Sequence, residues 1–310
     1  MPAAHRHLSA LLRHWERRPV QIASLAGVLL ALVLSSLMPF GHAPKDTKGA
    51  PAHRVAKAIP KARLVGPKRL PKPSAADVET RAVLAVGKRI GPIRHGAATR
   101  RMVALTFDDG PGPFTGKVLA ILRRTKTPAT FFQVGKNLDE NPDPAKATTL
   151  LDRVEIGDHT YTHHSLLTMT YRQQEDELIS SAATMEAQGE PVPRLFRPPY
   201  GAFNQDTEKL MTRRGMAMIL WSVDSQDYAR PGVDRIVQNV MSAVTPGSIV
   251  LMHDGGGDRS ETVAALPKII KRLRRKGYGL VSVPELLLKD PPQADQDVAT
   301  PPPGATKGAG

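Results

Sequence analysis

Four histidines lie between residues 102 and 289: His159, His163, His164 and His253. None is scattered over a helix surface. Each follows an apolar run, and so does the acidic pair in Thr106-Phe107-Asp108-Asp109-Gly110-Pro111. His159 and His163 are four residues apart, a spacing that brings two imidazoles to one side of a helical turn. Two imidazoles with one carboxylate make a metal site that keeps positions open for water and substrate. The other acid of the pair can then take a proton from water, and His253, on a separate strand end, can give one back. Asp-Asp-Gly-Pro alone is a turn signal, and an isolated HxxxH is commonly solvated surface. Together, at the ends of apolar runs, these residues point to a metal hydrolase.

Such residues need elements that bring them to one place. β-type apolar runs occur at Met102–Phe107, Ala129–Val134, Arg153–Ile156, Arg194–Phe196, Met216–Trp221, Ser248–Met252 and Gly279–Ser282. Helical patterns lie between them, at Thr115–Arg124, Pro144–Leu151, Tyr171–Gln188, Gln205–Arg214, Val233–Val244 and Glu261–Lys276. Alternation of short apolar strands with helices predicts a parallel sheet covered by helices. About seven such units predict a distorted (β/α) barrel, an α/β fold whose functional groups sit at the C-terminal ends of the strands.

The motifs after those strands resemble the NodB-homology polysaccharide deacetylases, carbohydrate esterase family 4. They are Thr-Phe-Asp108-Asp109-Gly-Pro, His159-Thr-Tyr-Thr-His163, Arg197-Pro-Pro-Tyr200-Gly, Trp221-Ser-Val-Asp224-Ser-Gln-Asp227-Tyr228 and Leu251-Met-His253, in the family's order over roughly 100–288. The resemblance implies a (β/α) barrel that removes acetyl groups from polysaccharide. It implies that Asp109, His159 and His163 bind a divalent metal, usually zinc, sometimes cobalt or another divalent ion. Asp108 would be the general base, oriented by Arg197. The backbone N–H of Tyr200 would help to stabilise the oxyanion. Asp227 would tune His253 as the acid that protonates the leaving amine. Leu251 would line the acetyl-methyl pocket, with Trp221 on a pocket wall. Peptidoglycan is the expected substrate, at N-acetylglucosamine or N-acetylmuramic acid; chitin oligomers, exopolysaccharide and O-acetyl xylan are the alternatives. A non-catalytic sugar-binding relic would have lost a ligand, base or acid, and none is lost here.

The sequence departs from the family pattern at three positions. His164 stands where proline is usual and is read as an exposed loop residue, with a spare ligand as the alternative. Tyr228 replaces a frequent tryptophan and keeps an aromatic wall. Asp158 replaces a common asparagine, and could tighten the metal or cap a turn.

Charge and hydropathy describe location instead. Residues 1–101 hold 19 Lys/Arg against 4 Asp/Glu, a balance of +15, whereas residues 102–310 hold 24 against 25, a balance of −1. The basicity therefore belongs to an arm, not to the region carrying the motifs. That arm lacks an RNP-like or helix-turn-helix signature, so nucleic acid is not expected as a partner. The uncharged run Val20–Phe40 has the length of a membrane-crossing helix. Expected from this are a cytoplasmic basic stub at 1–18, an anchor at 19–40 and a Pro/Ala/Lys/Arg-rich linker at 41–99. The deacetylase domain would span 100–289, with a disordered Pro/Gly tail at 290–310. Residues 74–90 could form a short helix. The run is read as an uncleaved single-pass anchor with the domain outside the cytoplasm, a cleaved signal peptide and secretion being the alternative. The basic linker would meet anionic lipid or wall polymer. The chain is expected to be a monomer. It has no cysteine, which excludes disulfides, thiolate catalysis and Cys-ligated metals.

Overall fold

The computed structural model describes residues 81–87, 91–149 and 152–293. The apolar run Val20–Phe40, the stub, the linker up to residue 80 and the tail beyond residue 293 lie outside the described residues. No helix among the described residues is long and apolar enough to cross a membrane.

Eight parallel strands form one sheet: β1 (Met102–Gly110), β2 (Ala129–Gln133), β3 (Val154–Asp158), β4 (Leu195–Phe196), β5 (Ala217–Met218), β6 (Val223–Asp224), β7 (Ile249–His253) and β8 (Gly279–Val281). Their order is β5-β4-β3-β2-β1-β7-β6, with β8 pairing the start of β1. This is the curved α/β layout that the alternation predicts. The helices are α1 (described over 81–87), α2 (Thr115–Thr125), α3 (Gly135–Glu140), α4 (Pro142–Thr149), α5 (Tyr171–Ala187), α6 (Gln205–Arg214), α7 (Val233–Ala243), α8 (Ser260–Arg275) and α9 (Val283–Lys289). β6, α3 and α9 carry no sequence expectation. They have two, six and seven residues, too short for a periodic pattern to register.

Alternation along the central strands sorts side chains into two layers. Val103, Leu105 and Phe107 of β1, and Val250 and Met252 of β7, point outward into a core shared with α2, α7 and α8. Phe107 also stacks on Phe131 at 5.0 Å. Burial of each such side chain contributes about 1.5–3 kcal/mol. Ala104, Ile249 and Leu251 face the interior with Ile219, Leu220 and Trp221, as do Thr106 and Asp108, joined there by Arg197.

The packed domain begins before residue 100. Ile93 is wholly buried and bridges Ile219, while His95 bridges Ser248. Val83 and Val86 of α1 enter the interior core. Asp290 closes the other end, its side chain accepting the Thr99 N–H and hydroxyl and its carbonyl the Ala97 N–H.

Candidate active site

Sheet register sets the first line of the site. Thr106 lies opposite Leu251, and Asp108 opposite His253, on adjacent parallel strands. Leu251 and His253 thus project to the interior on the same face as Asp108. Arg197, just after β4, is completely buried against them. Its Nη1 donates to Asp108 at 2.6 Å and to Thr106 Oγ1 at 2.8 Å; Nε and Nη2 donate to the carbonyls of Ile219 and Leu220. Phe132 covers one side of the guanidinium at 4.1 Å, and Trp221 lies 5.6 Å away. Burial pulls the Arg197 pKa below its usual value, opposed by the Asp108 charge. A buried arginine with such a partner set is a fixed positive group that locks the Asp108 rotamer.

An uninterrupted strand would send Asp108 and Asp109 to opposite faces. Here the β1–β2 register shifts between Asp108 and Gly110, and Asp109 takes φ 68°. This β-bulge turns the second acid toward the first one's side. Asp109 Oδ1 lies 3.5 Å from His159 Nε2 and 3.1 Å from His163 Nε2, and Asp108 Oδ2 lies 3.8 Å from His159 Nε2. Burial would raise the Asp109 pKa, but hydrogen bonds to both imidazoles, with the nearby His253 charge, hold it well below the carboxylate range. Burial would likewise lower His159, and the two acids raise it. Asn137 Nδ2 ties down the Asp109 carbonyl at 2.8 Å. The 255–256 segment must be glycine for the backbone to come so near. A Cβ on Gly255 would stand 1.9 Å from the Asp109 carbonyl oxygen, and one on Gly256 2.4 Å from Asp109 Oδ2.

The two histidines do not share a helical turn. Residues 159–165 form an irregular loop in which Thr160 and His163 have φ 69° and 62°. Local acceptors displace the helical pattern. Asp158 Oδ1 takes the Thr160 N–H, Glu177 Oε2 takes those of Tyr161 and Thr162, and Thr160 Oγ1 takes that of His163. The imidazoles still converge, with ring centroids 4.9 Å apart. His159 Nδ1 donates to the Arg197 carbonyl at 2.6 Å, which leaves Nε2 as the nitrogen turned toward Asp109: with a proton it donates to that carboxylate, and without one it can ligate a metal.

Asp109, His159 and His163 are the one group among the described residues whose ligand atoms all lie within 4.8 Å of one another. The donor set, two neutral imidazole nitrogens and one carboxylate oxygen with one nitrogen already oriented by a carbonyl, suits a divalent ion of borderline softness.

Across from the ligands lies a buried dyad. Asp227 Oδ1 accepts from His253 Nδ1 at 2.7 Å; its Oδ2 accepts the His253 N–H at 2.8 Å and the Thr262 hydroxyl at 2.7 Å. Burial would lower His253, but Asp227 and the more distant Asp109 and Asp108 raise its pKa to about 9. Asp227 is held below its usual value against its own burial, by the His253 charge and hydrogen bonds. His253 is thus an imidazolium at neutral pH, with Nε2–H left to donate.

The remaining expected residues frame this space. Tyr200 turns through φ 60° in the 199–201 turn and sets its ring edge-on to His163 at 4.9 Å. Tyr228 meets His253 edge-on at 5.5 Å and donates to Asp224 at 3.0 Å. His164 bonds Thr162 Oγ1 on the exposed side of the loop, outside the ligand group. Asp158 serves the turn, and burial raises its pKa to about 6. Four contributors carried no sequence signal: Glu177, Asn137, Thr262 and Asp254. Asp254 is buried beside Gly110 with its carboxyl bonded by Thr115, and burial raises its pKa to about 7. Glu177, Asn137 and Thr262 reach the site from distant elements with no motif of their own, whereas Asp254 directly follows His253 at the end of β7.

Comparison with known proteins meets this geometry. A sequence model described as polysaccharide deacetylase matches residues 95–219. A peptidoglycan-N-acetylglucosamine deacetylase of Bacillus cereus is 42% identical over 190 residues, covering 60% of this chain and 88% of the relative. A chitooligosaccharide deacetylase of a Bradyrhizobium species is 40% identical over 199 residues, covering 60% and 90%. The crystal structure of a carbohydrate esterase family 4 pseudoenzyme from Bacillus anthracis superposes with a TM-score of 0.60 at 34% identity, covering 66% of this chain and 71% of that one.

Proposed function

Because the chain belongs to the polysaccharide deacetylases of carbohydrate esterase family 4, a family of hydrolases, we propose that it is a metal-dependent envelope enzyme releasing acetate from N-acetyl sugars of peptidoglycan. One observation carries the reading: a carboxylate locked by a buried arginine and an imidazolium held by a buried carboxylate flank a three-residue ligand group. The resemblance to a pseudoenzyme makes these residues, not the fold, the argument for activity.

A divalent ion on Asp109, His159 and His163, zinc by preference, supplies Lewis acidity to the substrate carbonyl and to water. Asp108 removes a proton from the attacking water, its second oxygen being free of the Arg197 bond. The water oxygen bonds to the acetyl carbon, and the carbon–nitrogen bond then breaks. His253 delivers its Nε2 proton to the departing nitrogen, so that acetate and a free amine leave. The Tyr200 N–H is assigned to the carbonyl oxygen as negative charge develops there. Leu251 is assigned to the acetyl methyl, and Trp221 and Tyr228 to the walls.

Peptidoglycan is favoured by the Bacillus relative together with the apolar run Val20–Phe40 and its basic linker, which suit a membrane-tethered enzyme facing the wall. Chitin oligomers are the second substrate, favoured by the Bradyrhizobium relative. The test is acetate release by the zinc-loaded chain from purified peptidoglycan, chitopentaose and acetyl-xylan. Peptidoglycan is expected to give the highest rate. Zinc binding without acetate from any substrate would replace the reading with that of a sugar-binding relic. Equal membrane and wall retention after neutralising the Lys/Arg of 41–99 would remove the lipid or wall-polymer role of the linker.

A further inference from the structure

The loop that carries both histidine ligands is conformationally expensive. Thr160 and His163, neither of them glycine, occupy the left-handed region, and for a β-branched threonine that region is seldom visited. Such a loop persists only where its surroundings over-determine it. Its backbone bonds identify what does so. The His159 N–H donates to the Gln133 carbonyl of β2, and the Thr160 and Tyr161 carbonyls accept from Gly135 and Lys136 of α3. The N–H groups of Thr160 and His163 are taken by side chains within 158–163. Those of Tyr161 and Thr162, at the loop's middle, have no acceptor on a strand or on the loop. Both go to one carboxylate oxygen of Glu177, at 2.9 and 2.7 Å, and the other oxygen of Glu177 accepts the Thr162 hydroxyl at 2.9 Å.

Glu177 lies on α5, 14 residues beyond His163. It is half-buried and forms no ion pair among the described residues. Its three hydrogen bonds all go to the loop. Two convergent N–H groups on one carboxylate oxygen form a charge-assisted clamp, stronger and more directional than neutral bonds. The clamp acts between the two ligands: His159 is fixed from β2 and the Arg197 carbonyl, whereas His163 depends on the path of the chain through Tyr161 and Thr162.

We propose that Glu177 is the positioning residue of the metal site: from α5 it holds the loop in the left-handed path that brings His163 Nε2 within reach of Asp109 and His159. This rests on the reading of that group as a metal site. Outer-shell groups of this kind are typically worth 10–100-fold in metal affinity or activity. Glu177→Ala should therefore weaken zinc binding by about 10–100-fold. Glu177→Gln should lose less than Ala, because its amide can still accept through oxygen and donate to Thr162 Oγ1 while the charge is gone.

The experiment is zinc titration of the full chain against a chromophoric competitor, with amide hydrogen exchange of the zinc-free protein as a second readout. Glu186→Ala, on the same helix, is the control for a general effect on α5. Expected are a loosened zinc Kd in the order Ala, Gln, wild type, an unchanged control, and faster exchange at Tyr161 and Thr162 without faster exchange in β1 and β7. Tight zinc binding by wild type and an Ala variant within twofold of it would overturn the role of Glu177 while leaving the metal site intact. Failure of wild type itself to bind zinc would overturn the metal site, and this proposal with it. Should Glu177→Ala not fold, the Gln variant decides by the same two readouts, equal affinity and equal exchange counting against the clamp.

Discussion

The two halves of the site are built in opposite ways. In the acid half, His253 takes its geometry from regular structure, ending β7 in register with Asp108, and Asp227, on the short 227–229 turn, is buried under it with every carboxylate bond made inward. The ligand half rests on irregular backbone, with Asp109 at a bulge and His163 on a loop, both at positive φ and both partly exposed. Regular structure is cheap to hold because the sheet ladder sets many positions at once. Irregular structure has to be held contact by contact, by Asn137, the glycines at 255–256 and Glu177. A site that must admit an ion and a sugar needs open coordination positions, and these are difficult to provide from inside a packed strand.

This contrast orders the expected effects of mutation. The largest belongs to the ligands: Asp109→Ala or His163→Ala should lose bound zinc and acetate release together, by at least about a thousandfold in turnover if the ion supplies the main electrostatic stabilisation. Elemental analysis beside an acetate assay checks this, and retained zinc in either variant would break the assignment. Next comes Asp108→Asn, which should keep zinc but lower turnover by about 10²–10⁴-fold, the range of a general base. An unchanged rate would show that another group takes the proton.

In the acid half the sign can be worked out from the dyad. With its pKa raised to about 9, His253 keeps its proton through neutral pH; as pH rises past that value the acid is lost and the rate falls. Asp227→Asn removes the negative charge that raises it and leaves burial, which lowers it, less opposed. The alkaline limb of the kcat profile should therefore move to lower pH. A limb that stays in place would detach His253 from that limb. A smaller effect is expected for Gly256→Ala, which strains a positive-φ position and crowds Asp109 Oδ2; zinc affinity should drop before thermal stability does. Smallest is Tyr228→Phe. It keeps the aromatic edge on His253 and loses only the bond to Asp224, so turnover should change by less than about threefold, with any change confined to KM for longer oligomers.

Much of the fold was legible in advance because its long strands and amphipathic helices repeat a signal. β1 and β7 read as apolar runs, and α5 to α8 as helical patterns. The two-residue β6 did not, since two residues carry no period. The site was legible as a set of residues but not as an arrangement. The four-residue spacing of His159 and His163 suggests a helical turn. Side-chain acceptors at Asp158, Thr160 and Glu177 outbid the helical hydrogen bonds, and the loop forms instead. Adjacent aspartates on a strand ought to face apart, and only the bulge in the β1–β2 register reverses this.

By itself, then, the sequence determined which groups are available: two adjacent acids, a pair of histidines, a lone histidine and an arginine, each just after an apolar run, and a near-neutral region separate from a basic arm. Those are local properties of composition and period. The family resemblance already paired Asp109 with the two histidines and Asp227 with His253; the tertiary structure decided how a bulge turns Asp109 toward the imidazoles, which nitrogen of His159 faces it, and that a glutamate on α5 reaches the histidine loop. These depend on register, on a bulge and on contacts between residues far apart in the chain, for which no spacing in the sequence is a measure.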